Sequence, residues 1–308
     1  MIDKNLISRR QFIYLSSYLA AGLVLPIETF AADQQIYKTI PKSGEQLPVI
    51  GMGTSRTFEA RNDPALLAQL QQVMQTFFDL GGGMIDSSPM YGSAQQIIGT
   101  ILPNINGDKK LFAATKVWID GQQAGIEQME KSRQQWGIKQ FDLMQIHNLV
   151  DWQNHLETLN QMKADGKIRY TGITTSHGRS HNQLEHILKQ HDFDFLQLTY
   201  NIGDREVESN LLPLAQERGI AVIINRPYQR GSLFRQVKGK ALPEWAREFD
   251  CSSWGQYFLK FAVSHPAVTC AIPATTKAKH MIDNMQAGKG RLPTEAERKK
   301  MISYFSTL

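Results

Sequence analysis

The sequence contains few cysteines, and their scarcity excludes two classes of protein. Only Cys251 and Cys270 occur among 308 residues, so the chain has neither a disulfide framework nor the paired cysteine spacing of a zinc site. We therefore expect no metal centre. Cys270 lies in the apolar run AVTCAIPA and is predicted to be buried in a strand. A disulfide with Cys251 stays open as the less favoured alternative.

The chain also lacks a large net charge of either sign. The formal net charge is +5, and the lysines and arginines do not cluster with aromatic residues, so we expect no nucleic-acid partner. A modest attraction for phosphorylated ligands is still consistent with this charge. The glycine-rich dinucleotide turn is also absent, because GMGTSR at residues 51–56 does not match G-x-G-x-x-G.

Long hydrophobic runs are absent too. The apolar stretch from Ile13 to Leu25 is shorter than the about 20 residues that a membrane-spanning helix needs. It follows Arg9 and Arg10 and precedes small residues that end at Ala32, which is the layout of an export signal.

The segment SRRQFI at residues 8–13 resembles the twin-arginine consensus, which export machinery for folded proteins reads. We expect residues 1–31 to be such a signal peptide, recognised through Arg9 and Arg10, and residues 32–308 to be the mature domain. The mature protein is then periplasmic or otherwise exported, without a stable membrane span. An ordinary Sec signal and an uncleaved anchor are the alternatives.

What the rest of the chain contains is a regular alternation of short apolar runs and longer amphipathic ones. Eight runs predict strands: PVIGMGT, GMIDSS, LFAATKV, DLMQIHN, RYTGITT, FLQLTYN, AVIINRP and VTCAIPA. Segments between them, such as PALLAQLQQVMQTFFDLG, SHNQLEHILKQ and EVESNLLPLAQERG, have helical periodicity. Several of these end at a glycine, namely Gly81, Gly166 and Gly219.

Strands separated by helical crossovers pair in parallel. Eight such units in a chain of this length predict a (β/α)8 TIM barrel rather than an open sheet. The segment before them, YKTIPKSGEQLPVIGMGT, predicts a short N-terminal β-hairpin with its turn at residues 41–44.

Ionisable residues stand at the carboxyl ends of three neighbouring predicted strands. Asp86, Lys116 and His147 each follow an apolar run directly, and Tyr91 lies in the loop after Asp86. In a barrel these strand ends open on one mouth. A phenol titrates near pH 10, and an adjacent ammonium lowers that pKa. Lys116, held charged by Asp86, would therefore help Tyr91 to give a proton to an alkoxide, while His147 orients the carbonyl or shares the proton.

In these stretches the sequence resembles the aldo-keto reductase family over nearly all of the mature chain. The matching stretches are IDSSPMYG, TKVW, QIHN, GKIRYTGIT, LQLTYN, NRPYQRGSL and IPATTKAKHMIDNMQA. The resemblance implies an NAD(P)H-dependent oxidoreductase acting on carbonyl or alcohol groups, with Tyr91 as general acid, Lys116 and Asp86 as its tuning pair and His147 as carbonyl orienter. Each of the four taken singly has a structural alternative, but their order in this context favours catalysis.

The resemblance also implies a cofactor, NADP(H) rather than NAD(H), across the barrel mouth. Tyr200 matches the position that stacks under the nicotinamide, with a core-capping aromatic as the alternative, and Gln197 matches one that hydrogen-bonds its carboxamide. The loop around the pyrophosphate is matched by Arg226, Pro227, Tyr228, Gly231 and Leu233. The remaining implied cofactor residues are Gly53, Thr54, Thr174, Thr175, Thr276, Lys277, His280, Asp283 and Asn284.

The sequence departs from the family pattern in three places. Thr174-Thr175 stands where Ser-Asn is common, and His280 where many members have an arginine for the 2′-phosphate. Asp283-Asn284 replaces Glu-Asn but keeps the carboxylate and amide that hold the adenine. Lys277 and Lys279 can still pair with a 2′-phosphate as point charges, although they also fit a solvated helix start.

The substrate is specified only as a small-molecule carbonyl compound. Met90 and Trp118 are predicted to line an apolar pocket, and Trp152 either joins them or anchors a helix start. An exported protein meets no recycling pool of NADPH, so a nucleotide-binding or sensing protein with little turnover is the main alternative function. A sugar dehydrogenase or binding protein is a third.

Overall fold

The computed structural model of the protein describes residues 34–60, 62–107 and 110–308. Within them, Gln35–Leu308 form one compact unit. The predicted signal peptide at residues 1–31 lies outside the described residues. No helix among the described residues is long and apolar enough to cross a membrane.

Eight parallel strands form the centre of this unit, paired in sequence order from the first to the last. They are β3 (Met52–Gly53), β4 (Met84–Asp86), β5 (Phe112–Val117), β6 (Phe141–Ile146), β7 (Ile168–Thr174), β8 (Phe195–Thr199), β9 (Ala221–Asn225) and β10 (Val268–Ala271). A parallel bridge between Ile50 and Ala271 joins the two edges, with the Gly51 N–H donating to the Ala271 carbonyl at 2.9 Å. The predicted barrel is confirmed.

Helices lie between the strands and cover the barrel. They are α1 (Pro64–Asp79), α2 (Ala94–Ile101), α3 (Gln122–Trp136), α4 (Trp152–Ala164), α5 (His181–Gln190), α6 (Leu211–Glu217), α7 (Ser232–Gln236), α8 (Trp254–Val263), α9 (Ala278–Gln286) and α10 (Glu295–Phe305). Helix α1 begins where the sequence predicts, because Asp63 accepts a hydrogen bond from the Leu66 N–H at 2.9 Å and Pro64 needs no donor in the first turn. Gly81, Gly166 and Gly219 follow helix ends with φ of 86°, 70° and 62°, as expected for helix-terminating glycines.

The helix predicted across residues 206–219 is shorter than expected. Residues Glu206–Ser209 form a 3-10 turn, and α6 begins only after Asn210, whose φ of −142° is not helical. Pro213 explains the break, since proline has no N–H for an earlier carbonyl and its ring clashes with the preceding turn. The proline fits only because it lies in the first turn of α6.

The N-terminal hairpin consists of β1 (Tyr37–Thr39) and β2 (Gln46–Pro48), paired antiparallel. Its Ile40 and Leu47 pack against the apolar cluster inside the barrel, together with Phe112 and Phe195. The hairpin is therefore part of the barrel's packing. Cys251 and Cys270 are buried and free, so the disulfide alternative is excluded.

Strand residues alternate between two buried clusters. One cluster lies inside the barrel and includes Met84, Ala114, Leu143 and Phe195. The other, which includes residues such as Leu196, packs the outside of the sheet against the helices. Because side chains along a strand alternate between its two faces, a residue's odd or even place in the strand decides whether its side chain reaches the barrel interior.

Candidate active site

Asp86 and Lys116 form a buried ion pair at the carboxyl ends of β4 and β5. Lys116 Nζ lies 2.5 Å from Asp86 Oδ1 and donates a second hydrogen bond to the Ser87 carbonyl at 2.9 Å. Both side chains are at most 2% exposed. A buried charge is costly unless it is paired, so each of these groups offsets the burial cost of the other and fixes its position.

The second carboxylate oxygen of Asp86 is held by two amides. Gln145 and Gln197 donate to Asp86 Oδ2 at 2.9 and 3.0 Å, and Gln197 also donates to Gln145 Oε1 at 3.1 Å. Gln145 lies opposite Lys116 in the β5–β6 pairing. In this structure the Gln197 amide is therefore bound inside the polar network, which differs from the carboxamide contact that the sequence predicts for it.

Tyr91 lies directly above this pair, in the loop after β4. Its ring centroid is 5.3 Å from Lys116 Nζ and 5.9 Å from the His147 ring, which it meets at 89°. The loop turns back here because the Tyr91 N–H donates to the Ser88 carbonyl at 3.0 Å and Gly92 adopts a φ of 54°. The structure thus brings together the four residues that the sequence analysis assigned to catalysis.

Burial raises the pKa of the Tyr91 phenol, and this effect outweighs the lowering by Lys116. The charge of Asp86 raises that pKa further, whereas Arg230 lowers it. The pKa therefore moves in the direction opposite to the one predicted from the neighbouring ammonium, because desolvation penalises the phenolate. Tyr91 is therefore protonated at neutral pH, and Lys116 moderates the cost of its ionisation rather than making it acidic.

His147 is neutral over the physiological range. Burial and the neighbouring Lys116 charge lower the pKa of its imidazole to about 3. The Ser88 hydroxyl lies 2.9 Å from His147 Nδ1, and Ser88 Oγ also accepts from the Met90 N–H at 3.4 Å. With the Ser88 proton directed to Nδ1, the neutral ring carries its own proton on Nε2. The imidazole can then donate a hydrogen bond but not share a proton.

This contact predicts that Ser88 sets the tautomer of His147. We expect Ser88→Ala to lower kcat about ten-fold, a usual effect of removing a group that orients a functional histidine, while Ser88→Thr restores part of it. Steady-state kinetics and the nitrogen chemical shifts of His147 measure both effects. Ser132→Ala on α3 is the matched control, because it removes a buried hydroxyl that accepts a hydrogen bond from the Gln95 side-chain amide at 2.9 Å. Unchanged kinetics and shifts in Ser88→Ala would contradict the role.

Polar atoms without partners mark where a nicotinamide cofactor fits. The Thr175 hydroxyl and Arg226 Nε are buried and have no hydrogen-bond partner among the residues that the structure describes. They follow β7 and β9, the two strands that flank β8. Unpartnered buried polar atoms call for an explanation such as a ligand. Thr175 suits a carboxamide and Arg226 an oxyanion, so these residues fit the group. Thr174, in contrast, is engaged, since its hydroxyl accepts from the Asn148 N–H at 3.1 Å.

Tyr200 does not reach the mouth, and the prediction that it stacks under the nicotinamide is wrong. Its side chain is fully buried, its ring lies 5.6 Å from Phe261 of α8, and its hydroxyl bonds Glu208 and Arg298. The reason is that side chains along a strand alternate between its two faces. Tyr200 lies on the helix-facing side with Leu196, whereas Gln197 faces the barrel interior. Tyr200 is the core aromatic of the alternative interpretation.

The residues predicted to hold the adenine are bound to their neighbours. Asp283 accepts from Ser253 Oγ and from Gln256 Nε2, each at 2.8 Å. Asn284 Oδ1 accepts from the Tyr228 hydroxyl at 2.6 Å. Tyr228 therefore ties the loop after β9 to α9 rather than facing the mouth. An adenine amine would have to share or displace these donors.

The other predicted cofactor residues fall into two groups. Lys277, Lys279 and His280 are exposed at the start of α9, and Thr276 precedes them, with its carbonyl accepting from Gln69. Pro227 and Leu233 are buried, and Gly231 has a φ of 85°.

Beneath the site, two further predicted cofactor residues have structural contacts. A Cβ at Gly53 would lie 2.6 Å from the Ile272 carbonyl, so the close approach of two strands requires this glycine. The Thr54 hydroxyl is fully buried and donates to the Asp86 carbonyl at 2.9 Å. Both residues support the floor of the site.

An apolar wall flanks the four central residues. Met90 and Trp118, predicted to line the substrate pocket, are each 41% exposed, and the Trp118 ring lies 6.4 Å from that of His147. Trp152 is placed elsewhere, with its ring 5.1 Å from His191. Large exposed apolar side chains beside a polar centre are typical of a site that binds an organic substrate.

The sequence analysis missed Ser88 and Gln145. Ser88 lies in the IDSSPMYG stretch and Gln145 in QIHN, both of which carry the family resemblance. The alternation of side chains along a strand could have indicated Gln145, because it lies two residues before His147 and so faces the same interior. The actual partners of both residues come from different strands, which a linear pattern does not show.

Comparison with known proteins gives consistent matches. Residues 49–299 match the Aldo/keto reductase family. The chain is 26% identical over 256 residues to methylglyoxal reductase YeaE of Escherichia coli (strain K12), covering 80% of this chain and 88% of that protein. It is 26% identical over 199 residues to the NADH-specific methylglyoxal reductase of the same organism, covering 54% and 59%.

Two solved structures share the fold. The holo form of aldo-keto reductase AKR11C1 from Bacillus halodurans matches with a TM-score of 0.72 at 22% identity, covering 88% of this chain and 96% of that one. An aldo-keto reductase from Klebsiella pneumoniae in complex with NADPH matches with a TM-score of 0.73 at 21% identity, covering 88% and 95%. At these identities the structural likeness shows the fold alone.

Proposed function

The chain belongs to the aldo/keto reductase family, whose members are NAD(P)H-dependent oxidoreductases, and from this premise we propose that it reduces an aldehyde or ketone with NADPH, using Tyr91 as general acid. One observation carries the proposal. The Tyr91 ring lies 5.3 Å from the ammonium of Lys116, which Asp86 in turn holds at 2.5 Å.

Each of the four residues has a separate role in carbonyl reduction. The cofactor, when bound, supplies hydride to the carbonyl carbon. His147 donates a hydrogen bond from Nε2 to the carbonyl oxygen and orients it. The Tyr91 hydroxyl then gives its proton to that oxygen as alkoxide character develops, and Lys116 stabilises the phenolate that remains. Asp86 holds the Lys116 ammonium in position through their ion pair.

The test is NADPH oxidation by the purified protein over a panel of aldehydes, ketones and quinones. Oxidation of many NADPH molecules per protein molecule would support the proposal that the protein is a carbonyl-reducing enzyme. Saturable NADPH binding without turnover would instead support the nucleotide-binding or sensing alternative. The panel should include methylglyoxal, because two relatives are named as methylglyoxal reductases.

The preference for NADPH rests on charge. Lys277, Lys279 and His280 are exposed together at the start of α9 and supply cationic or donor groups for a 2′-phosphate. One solved relative is in complex with NADPH, whereas another relative is named NADH-specific. A ratio of kcat/KM well above unity for NADPH against NADH supports the preference, and equal values would refute it.

We also propose that the protein is exported by a twin-arginine route, because SRRQFI precedes a weakly apolar stretch. Arg9→Lys combined with Arg10→Lys is expected to retain the protein in the cytoplasm, since that machinery reads the arginine pair. Cell fractionation measures the result, with Lys4→Gln as the control for loss of a basic residue. Normal export of the double variant would exclude this route.

A further inference from the structure

Four arginines follow the carboxyl ends of three barrel strands and so surround the same mouth. Arg56 lies after β3, Arg179 after β7, and Arg226 and Arg230 after β9. Arg56, Arg179 and Arg230 are exposed, and Arg226 is half-buried. None of them belongs to the Asp86–Lys116–Tyr91–His147 group.

Within the described part of the chain, these arginines form no ion pair with an acidic side chain. No carboxylate of the described residues lies within 4.0 Å of any of their guanidinium groups; Asp204 acts on Arg226 only from a longer distance. Their charges act on one another instead, because Arg230, Arg56 and Arg179 all lower the pKa of Arg226. Unpaired like charges held together are unfavourable unless an anion joins them.

The backbone of this cluster is also strained. Arg56, Arg226 and Arg230 adopt φ values of 62°, 52° and 53°, in the left-handed region that non-glycine residues rarely occupy. Such conformations persist where the surrounding structure enforces them, and they concentrate at ligand-binding sites. Arg226 Nε is in addition buried, with no hydrogen-bond partner in residues 34–60, 62–107 and 110–308.

The cofactor pyrophosphate alone does not account for this much positive charge, since the 2′-phosphate is assigned to Lys277, Lys279 and His280 at the start of α9. The pyrophosphate brings about two negative charges, one on each diesterified phosphoryl group, against four arginines. Arg226, in the loop assigned to the pyrophosphate, can serve that group. Arg230 differs because its charge and the Tyr91 phenol act on each other's pKa, and it follows β9 at the same mouth into which Tyr91 projects.

We propose that the carbonyl substrate is itself anionic, with a carboxylate or phosphate that Arg230 and its neighbours Arg56 and Arg179 bind while the carbonyl meets Tyr91 and His147. The inference rests on the proposed function for the reaction itself. Guanidinium groups bind both oxyanions in the same way, and Met90 and Trp118 cover the apolar part of the molecule. The substrate class is therefore an apolar aldehyde or ketone that carries an acid group.

The test uses a matched pair of aldehydes, 4-formylbenzoate and 4-formylbenzamide, with 4-formylphenyl phosphate to separate carboxylate from phosphate. We expect the wild type to prefer the best anionic member over the amide by roughly ten-fold or more in kcat/KM, the scale of one hydrogen bond to a charged group. Arg230→Gln should reduce that ratio toward unity. Arg133→Gln on α3, where Arg133 pairs with Glu130 at 2.7 Å, is the matched control and should retain the ratio.

A second measurement does not need turnover. With NADP+ bound, calorimetry compares 4-nitrobenzoate with 4-nitrobenzamide, and we expect roughly ten-fold tighter binding of the anion, lost in Arg230→Gln. If this preference exists but no carbonyl is reduced, the proposed function fails and the anion site stands.

Two results would overturn the proposal. One is equal binding and equal turnover of charged and neutral ligands by the wild type. The other is an Arg230→Gln variant that weakens NADPH binding and affects both aldehydes to the same extent, because the arginines would then hold the cofactor pyrophosphate only.

Discussion

Replacing Tyr91 by phenylalanine is expected to lower kcat for carbonyl reduction by at least about 10²-fold, the scale of general acid catalysis. The phenyl ring keeps the contact with His147, whose ring centroid is 5.9 Å away, so the dissociation constant for NADPH should change little. Steady-state kinetics and fluorescence titration measure the two quantities. Tyr170→Phe is the matched control, because its hydroxyl bonds Ser43 and Glu45 at 2.8 and 2.7 Å on the hairpin side.

The same assignment fixes the pH dependence. Burial raises the pKa of Tyr91, so the acid stays protonated as the pH rises through neutrality, and the pKa of His147 is about 3, so the imidazole stays neutral as the pH falls. The reduction rate should be flat between about pH 5 and pH 9 and decline only at higher pH. A Tyr91→Phe variant with wild-type kcat, or a wild type that loses activity with a midpoint near neutral pH, would refute the acid role.

Lys116→Met is expected to cost about 3–5 kcal/mol in the free energy of unfolding and to abolish turnover. The variant leaves the Asp86 carboxylate buried with only the Gln145 and Gln197 amides as partners, and breaking a buried ion pair on one side has this magnitude. Urea unfolding followed by fluorescence gives the stability change. A variant as stable as the wild type would contradict the pairing.

A double variant separates the structural from the chemical part of this effect. Adding Asp86→Asn to Lys116→Met removes the orphaned charge and should recover most of the stability, whereas turnover should stay absent. Lys260→Met provides a second comparison, since Lys260 is also fully buried but donates to the carbonyls of Lys289 and Arg291 at 2.6 and 2.9 Å. It should keep turnover whatever it costs in stability.

The differences at the site between prediction and structure have two physical origins, namely which face of a strand a residue occupies and how burial changes a pKa. Parallel barrel strands are apolar on both faces, so their sequences do not show which face a residue occupies. Gln197 and Tyr200 were both assigned to the cofactor, although their odd spacing of three residues places them on opposite faces. The pKa of Tyr91 was misjudged in direction because burial, the larger effect, is not visible in a list of neighbouring charges.

The sequence by itself determined the order of elements and the position of polar residues at strand ends. Apolar periodicity, glycine after helices and Pro64 behind Asp63 are local properties, so the barrel, its hairpin and the region around IDSSPMYG could be predicted from them. Residue type also indicated the chemistry, because an acid, an ammonium, an imidazole and a phenol suit proton transfer to an alkoxide.

Only the tertiary structure decided which groups contact one another. The link from Ser88 to His147, the two amides on Asp86 and the group of unpaired arginines each join residues from separate strands or loops. Their distances depend on closure of the barrel, the strand register and the facing of each side chain. Barrel closure, strand register and side-chain facing are set by packing among residues far apart in the chain, and local patterns in a single sequence do not show which distant residues pack together.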